Sequence, residues 1–309
     1  MVRYGSLFFL FLGVTMAFGY ENISYSDYKK TGGEHYVNLS DGWTNYTLTG
    51  DSTSTNVVVL LHGGTIPLCI WSAQIDALNN AGFRVLCYDQ YGKGFSDRPH
   101  TVYSRELYVR QLKELLDSLQ FVQPVTLVGP SFGGAIAVTF AAKYPSRVKS
   151  LVLISPALNL LNSPSPLAKS LKILRVPLLG KLLYWTGVRS KLIRRGRSLV
   201  PGGNGSPCDS AFVQQFRCEG TERALFSMFK SDAFGDYREL TRSAGKQISN
   251  ILLLRGKEDK DVTDSMIKEV QSDLAHATFL EIEKSGHNPG SEAATVFNDL
   301  IINYLKAHE

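Results

Sequence analysis

Residues 127–134 read Leu-Val-Gly-Pro-Ser-Phe-Gly-Gly, a Gly-x-Ser-x-Gly run set between an apolar stretch at 125–128 and a helix-patterned one at 133–143. A serine held on so tight a strand-to-helix turn takes up a strained backbone conformation. Only residues without bulk, here Gly129 and Gly133, then fit two positions to either side. The turn lifts the Ser131 hydroxyl clear of a sheet, and the helix that follows aims unpaired N–H groups at charge developing beside it.

Outward from this turn the same rhythm repeats. Short, almost wholly apolar runs at 57–61, 84–88, 125–128, 151–154, 251–254 and 278–282 predict buried parallel strands. Helical patterns at 71–80, 104–119, 133–143, 263–273 and 293–306 lie between them. Two alternating segments, 36–39 and 43–49, split by Asp41-Gly42, predict an antiparallel hairpin at the sheet's edge. The expected fold class is α/β, a mostly parallel twisted sheet flanked by helices. With 309 residues, 44% of them hydrophobic and 20% charged, the chain suits one large core and not collagen, coiled coil or disorder.

The rhythm breaks once, after the sixth strand, where residues 157–246 intervene before the next one. This segment holds 15 Lys+Arg and 6 Asp+Glu, so its excess of +9 exceeds the chain's net +5. Residues 167–200 interleave apolar side chains with most of that charge, the composition of amphipathic helices that lie on anionic membranes or cover apolar ligands. The expectation is a helical cap over a core made of residues 20–156 and 247–309. No nucleic-acid-binding motif accompanies the charge, so nucleic acid is not an expected partner.

Residues 1–19 read as an export signal or an uncleaved anchor. Arg3 precedes a charge-free run at 7–18, and Ala17-Phe18-Gly19 offers a cleavage site before Tyr20. A secreted or extracytoplasmic, membrane-associated protein is expected. Sequons at Asn22, Asn38, Asn45 and Asn204 agree with that route. So does a Cys208–Cys218 disulfide stapling a polar loop; Cys87 reads as a buried apolar residue, and a Cys69–Cys87 pairing is left open.

Four further segments complete a pattern: Leu60-Leu-His62-Gly63-Gly64, Tyr88-Asp89-Gln-Tyr-Gly92-Lys-Gly94-Phe-Ser96-Asp97, Leu254-Arg-Gly256-Lys-Glu-Asp259 and Ser285-Gly286-His287-Asn288. With them the chain resembles the capped serine hydrolases of the α/β-hydrolase superfamily, from about residue 35 to the C-terminus. The resemblance implies a catalytic set of Ser131, Asp259 and His287, whose chain order Ser, Asp, His is the one that fold uses. Asp261 and Glu258 stand beside Asp259 as alternatives. A serine hydroxyl attacks a carbonyl only when a base takes its proton, the role of His287, and a carboxylate must fix the imidazole's tautomer. The N–H of Phe132 and that of Gly64 would form the oxyanion hole, with Thr65 as the alternative to Gly64 because Thr65-Ile66-Pro67 replaces the family's usual Pro-Gly. His62 is read as steering that loop.

A serine at 131 excludes reactions that need an aspartate nucleophile. The expected activity is hydrolysis of carboxylic esters with an apolar acyl chain, a monoacylglycerol or similar lipid ester, with the cap forming the acyl tunnel and touching a membrane surface. No cofactor or metal is called for. The turn at 89–96 also resembles that of proline iminopeptidases, for which cap carboxylates such as Glu219, Glu222 and Asp232 would have to hold an ammonium group. A non-catalytic receptor keeping the hydrolase fold is the remaining alternative.

Overall fold

The computed structural model describes residues 21–309, apart from Glu34 and Pro177. The signal or anchor expected at 1–19 lies outside the described residues. Among those described, no helix is long and apolar enough to cross a membrane.

Eight strands form one sheet: β1 His35–Leu39, β2 Gly42–Thr49, β3 Val57–Leu61, β4 Arg84–Tyr88, β5 Val125–Pro130, β6 Val148–Ile154, β7 Ile251–Gly256 and β8 Thr278–Ile282. Their spatial order is β1-β2-β4-β3-β5-β6-β7-β8, parallel from β4 onward with the β1–β2 hairpin antiparallel at one edge. The hairpin pairs Leu39 with Gly42, so its two-residue turn is Ser40-Asp41 and Gly42 already belongs to β2. The central strands β3, β5 and β7 are buried along their whole length, which is why they read as unbroken apolar runs.

Helices flank the sheet in two groups. On the N-terminal side of the chain lie α1 Tyr25–Lys29, α2 Ser72–Asn80, α3 Arg105–Ser118 and α4 Phe132–Lys143. The cap carries α5 Pro166–Leu174, α6 Leu179–Leu183, α7 Arg189–Arg197, α8 Pro207–Gln215 and α9 Thr221–Lys230; α10 Arg238–Gln247, α11 Asp264–Asp273, α12 Pro289–Glu292 and α13 Ala294–Lys306 follow. α2 and α13 are clasped by Gln74, whose amide donates to the Gly290 carbonyl and to Asn298 Oδ1, both at 2.9 Å. α4 is buried from Phe132 to Ala141 between the sheet and α3 and α10. α10, at the end of the expected insertion, packs on α4 and α11.

The cap begins its α5 and α8 in the same way: Ser165 and Ser206 side chains accept from the N–H three residues on, each followed by a proline at the first helical position. Between α6 and α7 a π-turn, Tyr184–Val188, keeps the two as one continuous rod. Residues 21–23 strap the cap from outside. The Glu21 carboxylate accepts from the N–H groups of Gly220 (3.0 Å) and Glu222 (2.7 Å), and Asn22 and Ile23 donate to the Arg217 carbonyl.

Two expectations are corrected here. The disulfide joins Cys69 to Cys208, not Cys208 to Cys218. Cys208 sits in the first turn of α8 and Cys218 beyond its far end, and the helical rise of about 10 Å from Cys208 to Gln215 exceeds a disulfide's reach. Cys218, bridged to Ile23, is buried and outside the disulfide, and Cys87 is buried in the sheet. The Asn45 sequon is the second: its side chain is buried and donates to Asp89 Oδ2 at 2.8 Å, which closes it to modification, whereas Asn22, Asn38 and Asn204 are exposed.

Candidate active site

Ser131 follows β5 and caps α4 with φ 50° and ψ −116°, the strained turn its two flanking glycines permit. A Cβ at Gly129 would strike the backbone of Gly133, and one at Gly133 would strike the Leu61 carbonyl oxygen. The glycines therefore let α4 start directly against β3, and Phe132, as the first helical residue, keeps an N–H with no acceptor inside its helix.

The loop after β3 supplies the facing wall. His62 is fully buried, and burial first and the nearby Lys93 charge second push its pKa down to about 3, against the bond to Gly63, so the ring is neutral. Its Nε2 accepts from the Gln90 N–H at 3.0 Å, which assigns the proton to Nδ1, and Nδ1–H donates to the Gly63 carbonyl at 2.8 Å. In a trans peptide the C=O of Gly63 and the N–H of Gly64 point in opposite directions, so pinning the first on His62 turns the second away from that ring. Gly64 and Thr65 both line the cavity. Gln90 completes the support by donating from its amide to the His62 carbonyl at 2.5 Å.

His287 lies on the loop after β8. Its Nδ1 donates to Asp259 Oδ2 at 2.9 Å, leaving Nε2 as the basic nitrogen. Asp259 Oδ1 accepts from the N–H groups of Asp261 (2.8 Å) and Val262 (3.1 Å). Burial raises the Asp259 pKa, but the hydrogen bond from His287, that imidazole's charge, Ser155 and the Asp261 N–H outweigh it and hold the carboxyl down to about 2. For His287, burial disfavours the charged ring, while the bond to Asp259 and the charges of Asp259 and Asp261 win and raise its pKa. Of the carboxylates weighed from sequence, Asp259 is thus the one bonded to the imidazole; Asp261 stands 4.0 Å from Nδ1 and is ion-paired with Arg195 of the cap.

The histidine loop is itself held by Glu292 of α12, which accepts from the Gly286 N–H and, at 3.3 Å, from that of Asn288. Asn288 donates to the Leu199 carbonyl at 2.8 Å, another tie to the cap. Neither partner carries a signal in the sequence. Ligand atoms of Asp259, Asp261 and His287 lie within 4.8 Å of one another, a spacing a cation could use. Nδ1 is already committed to Asp259 and Asp261 to Arg195, so the arrangement fits proton chemistry better than metal ligation.

Ser131, His287, Gly64 and Thr65 open onto one cavity of about 160 Å³. Its walls are mostly apolar, with Ile66 and Ile70 from the body and Leu171, Leu174, Leu192 and Phe229 from the cap. No direct hydrogen bond joins Ser131 to His287 among the described residues, and contacts of that kind tighten when substrate binds. The cap carboxylates Glu222 and Asp232 are engaged elsewhere: Glu222 pairs with Arg189 at 2.7 Å, and Asp232 accepts from the Arg105 N–H at 2.9 Å. Neither these nor Glu219 line the cavity.

Compared with known proteins, residues 56–294 match the family model described as the alpha/beta hydrolase fold. The chain is similar to a 2-hydroxy-6-oxononadienedioate/2-hydroxy-6-oxononatrienedioate hydrolase of Paraburkholderia phymatum, 29% identical over 287 residues that cover 87% of this chain and 94% of that protein. Among solved structures it resembles a thermophilic esterase of Thermogutta terrifontis, with TM-score 0.71 and 21% identity over 89% of this chain and all of that one. An enol-lactonase of Burkholderia xenovorans shares the fold at TM-score 0.67 and 21% identity, over 88% of this chain and all of that one.

Proposed function

The chain belongs to the α/β-hydrolase fold family, and from that premise we propose that it is a serine hydrolase cleaving carboxylic esters with an apolar acyl chain, a monoacylglycerol or similar lipid ester. The observation that carries the reading is that a strained Ser131 and an imidazole whose Nδ1 is fixed by buried Asp259 line the same cavity. Ser131 Oγ attacks the ester carbonyl as His287 Nε2 takes its proton, and Asp259 stabilises the imidazolium. The N–H groups of Phe132 and Gly64 receive the oxyanion, worth on the order of 3 kcal/mol for one donor. His287 then returns the proton to the departing alcohol, and water, deprotonated by the same nitrogen, releases the acyl group.

The apolar lining supports an apolar acyl chain. The relative from Paraburkholderia is named for dioates, whose carboxylates need cations. Arg195 is the one cationic side chain among the residues lining this cavity, and Asp261 already neutralises it. Among the described residues the cavity lining likewise offers no carboxylate beyond the paired Asp261 to hold an ammonium group, which weighs against an aminopeptidase. Export through residues 1–19 remains part of the proposal.

The test is a series of p-nitrophenyl esters and monoacylglycerols of increasing acyl length, run on wild type and Ser131→Ala. Turnover that depends on acyl length and falls by at least about three orders of magnitude in the variant is expected. Rapid cleavage of proline anilides with little ester turnover would replace the proposal with a peptidase.

A further inference from the structure

Five of the ten large apolar side chains exposed among the described residues crowd into one short stretch of the cap: Ile173, Val176, Leu178, Leu179 and Leu182. Leu178 is 87% exposed and sits at φ 60°, the left-handed region that glycine occupies freely and leucine resists. The stretch therefore holds an apolar side chain out in water on a backbone that sterics disfavour. A patch of this kind marks a surface that is covered in use.

The charge around it says by what. Residues 157–208 contain nine Lys+Arg and no Asp or Glu. Four of these cations are engaged inward: Arg175 on the Phe229 and Ser231 carbonyls, and Arg189, Arg195 and Arg197 on Glu222, Asp261 and Asp209. Lys169, Lys172, Lys191 and Arg194 are exposed and make no ion pair among the described residues. An apolar knob flanked by unpaired cations is complementary to a surface that is anionic outside and apolar beneath, which is a bilayer containing acidic phospholipid.

α5 links this surface to the site. Its Leu171 and Leu174 line the cavity, while Lys169, Lys172 and Ile173 on the same helix are exposed. We propose that Ile173, Val176, Leu178, Leu179 and Leu182 form a patch that docks on anionic phospholipid membranes, seating the three leucines among the acyl chains, so that substrate passes from the bilayer along α5 into the cavity. The entry route rests on the ester reading above; the docking does not.

The test uses the full chain carrying Ser131→Ala, so that no lipid is consumed, with Leu178→Cys bearing an environment-sensitive fluorophore. The native Cys87 and Cys218 are buried and do not compete. Vesicles of phosphatidylcholine with phosphatidylglycerol should blue-shift the emission, and vesicles of phosphatidylcholine alone should not. In the active protein, Leu178→Asp with Leu182→Asp should weaken partition onto the anionic vesicles about tenfold or more and slow turnover of bilayer-held monoacylglycerol in step. Hydrolysis of a short soluble ester should not change. Emission that stays aqueous while the chain is vesicle-bound, partition unaffected by the two aspartates, or a blue shift that grows with protein concentration without vesicles would each overturn the docking. A wild type that binds vesicles through this patch yet hydrolyses no soluble ester would leave the docking intact and remove the ester reading.

Discussion

Replacing Asp259 by Asn tests the acid–base geometry with atoms that the structure already commits. Oδ1 of Asp259 accepts two backbone N–H groups, so in Asp259→Asn the amide oxygen is forced into that position and the NH2 group faces His287. An NH2 group cannot accept from Nδ1–H. The imidazole must then move its proton to Nε2, the nitrogen that has to be a base toward Ser131, and kcat should fall by about 10⁴-fold. The fold should weaken too. The Asp259 carboxyl is held at about 2 against an ordinary 3.8, a difference of about 2 kcal/mol. Because the folded-state pKa is depressed, that stability is fully present above pH 3.8 and is lost as pH falls through about 2. At neutral pH the variant forfeits it. Steady-state turnover of a p-nitrophenyl ester gives the first quantity and urea unfolding followed by circular dichroism the second. Asp261→Asn, at 4.0 Å and without the Oδ2 bond, should cost less than about tenfold in kcat. A kcat for Asp259→Asn within tenfold of wild type, or a larger loss in Asp261→Asn, would refute the assignment.

Two other outcomes follow from the same geometry. The Asp259 bond and charge raise the His287 pKa above 6.5, and the protonated ring cannot accept from Ser131, so kcat/KM should fall as pH drops through a midpoint above 6.5; an acid limb centred below 6.5 would contradict the pairing. The stability from that same raised pKa runs the other way, being complete below 6.5 and lost as pH rises through the folded value. Reducing Cys69–Cys208, which spans 139 residues, removes a constraint on the unfolded chain worth on the order of 5 kcal/mol at most, so a reductant should lower Tm by several degrees. A Tm unmoved by reductant would show the bond to be absent.

What the sequence could and could not reveal follows from the range of the forces involved. Strands β3 and β4 lie where the apolar runs put them, because a strand buried in a parallel sheet has little choice of composition. β8 lies at its run too, but as an edge strand exposed over most of its length and not buried as expected. The Ser131 turn was legible because sterics admit only glycine at 129 and 133. The cap defeats such reading. Cys208 finds Cys69 instead of Cys218 because a helix intervenes whose length matters more than the spacing in sequence. The grip of Glu292 on the histidine loop, the Arg195–Asp261 pair and the Glu21 strap join residues that no local pattern connects. His62 is intermediate: its Gly-Gly setting marked it as structural, but its tautomer is fixed by Gln90, a contact between two separate strand ends.

The central claim is that Ser131 is made nucleophilic by His287, and active-site labelling measures this directly. Treatment with a fluorophosphonate should place a single covalent adduct on the peptide carrying Ser131, at a rate that collapses in His287→Ala. A folded wild-type protein that takes up no label, or that labels at the same rate without the imidazole, would contradict the account.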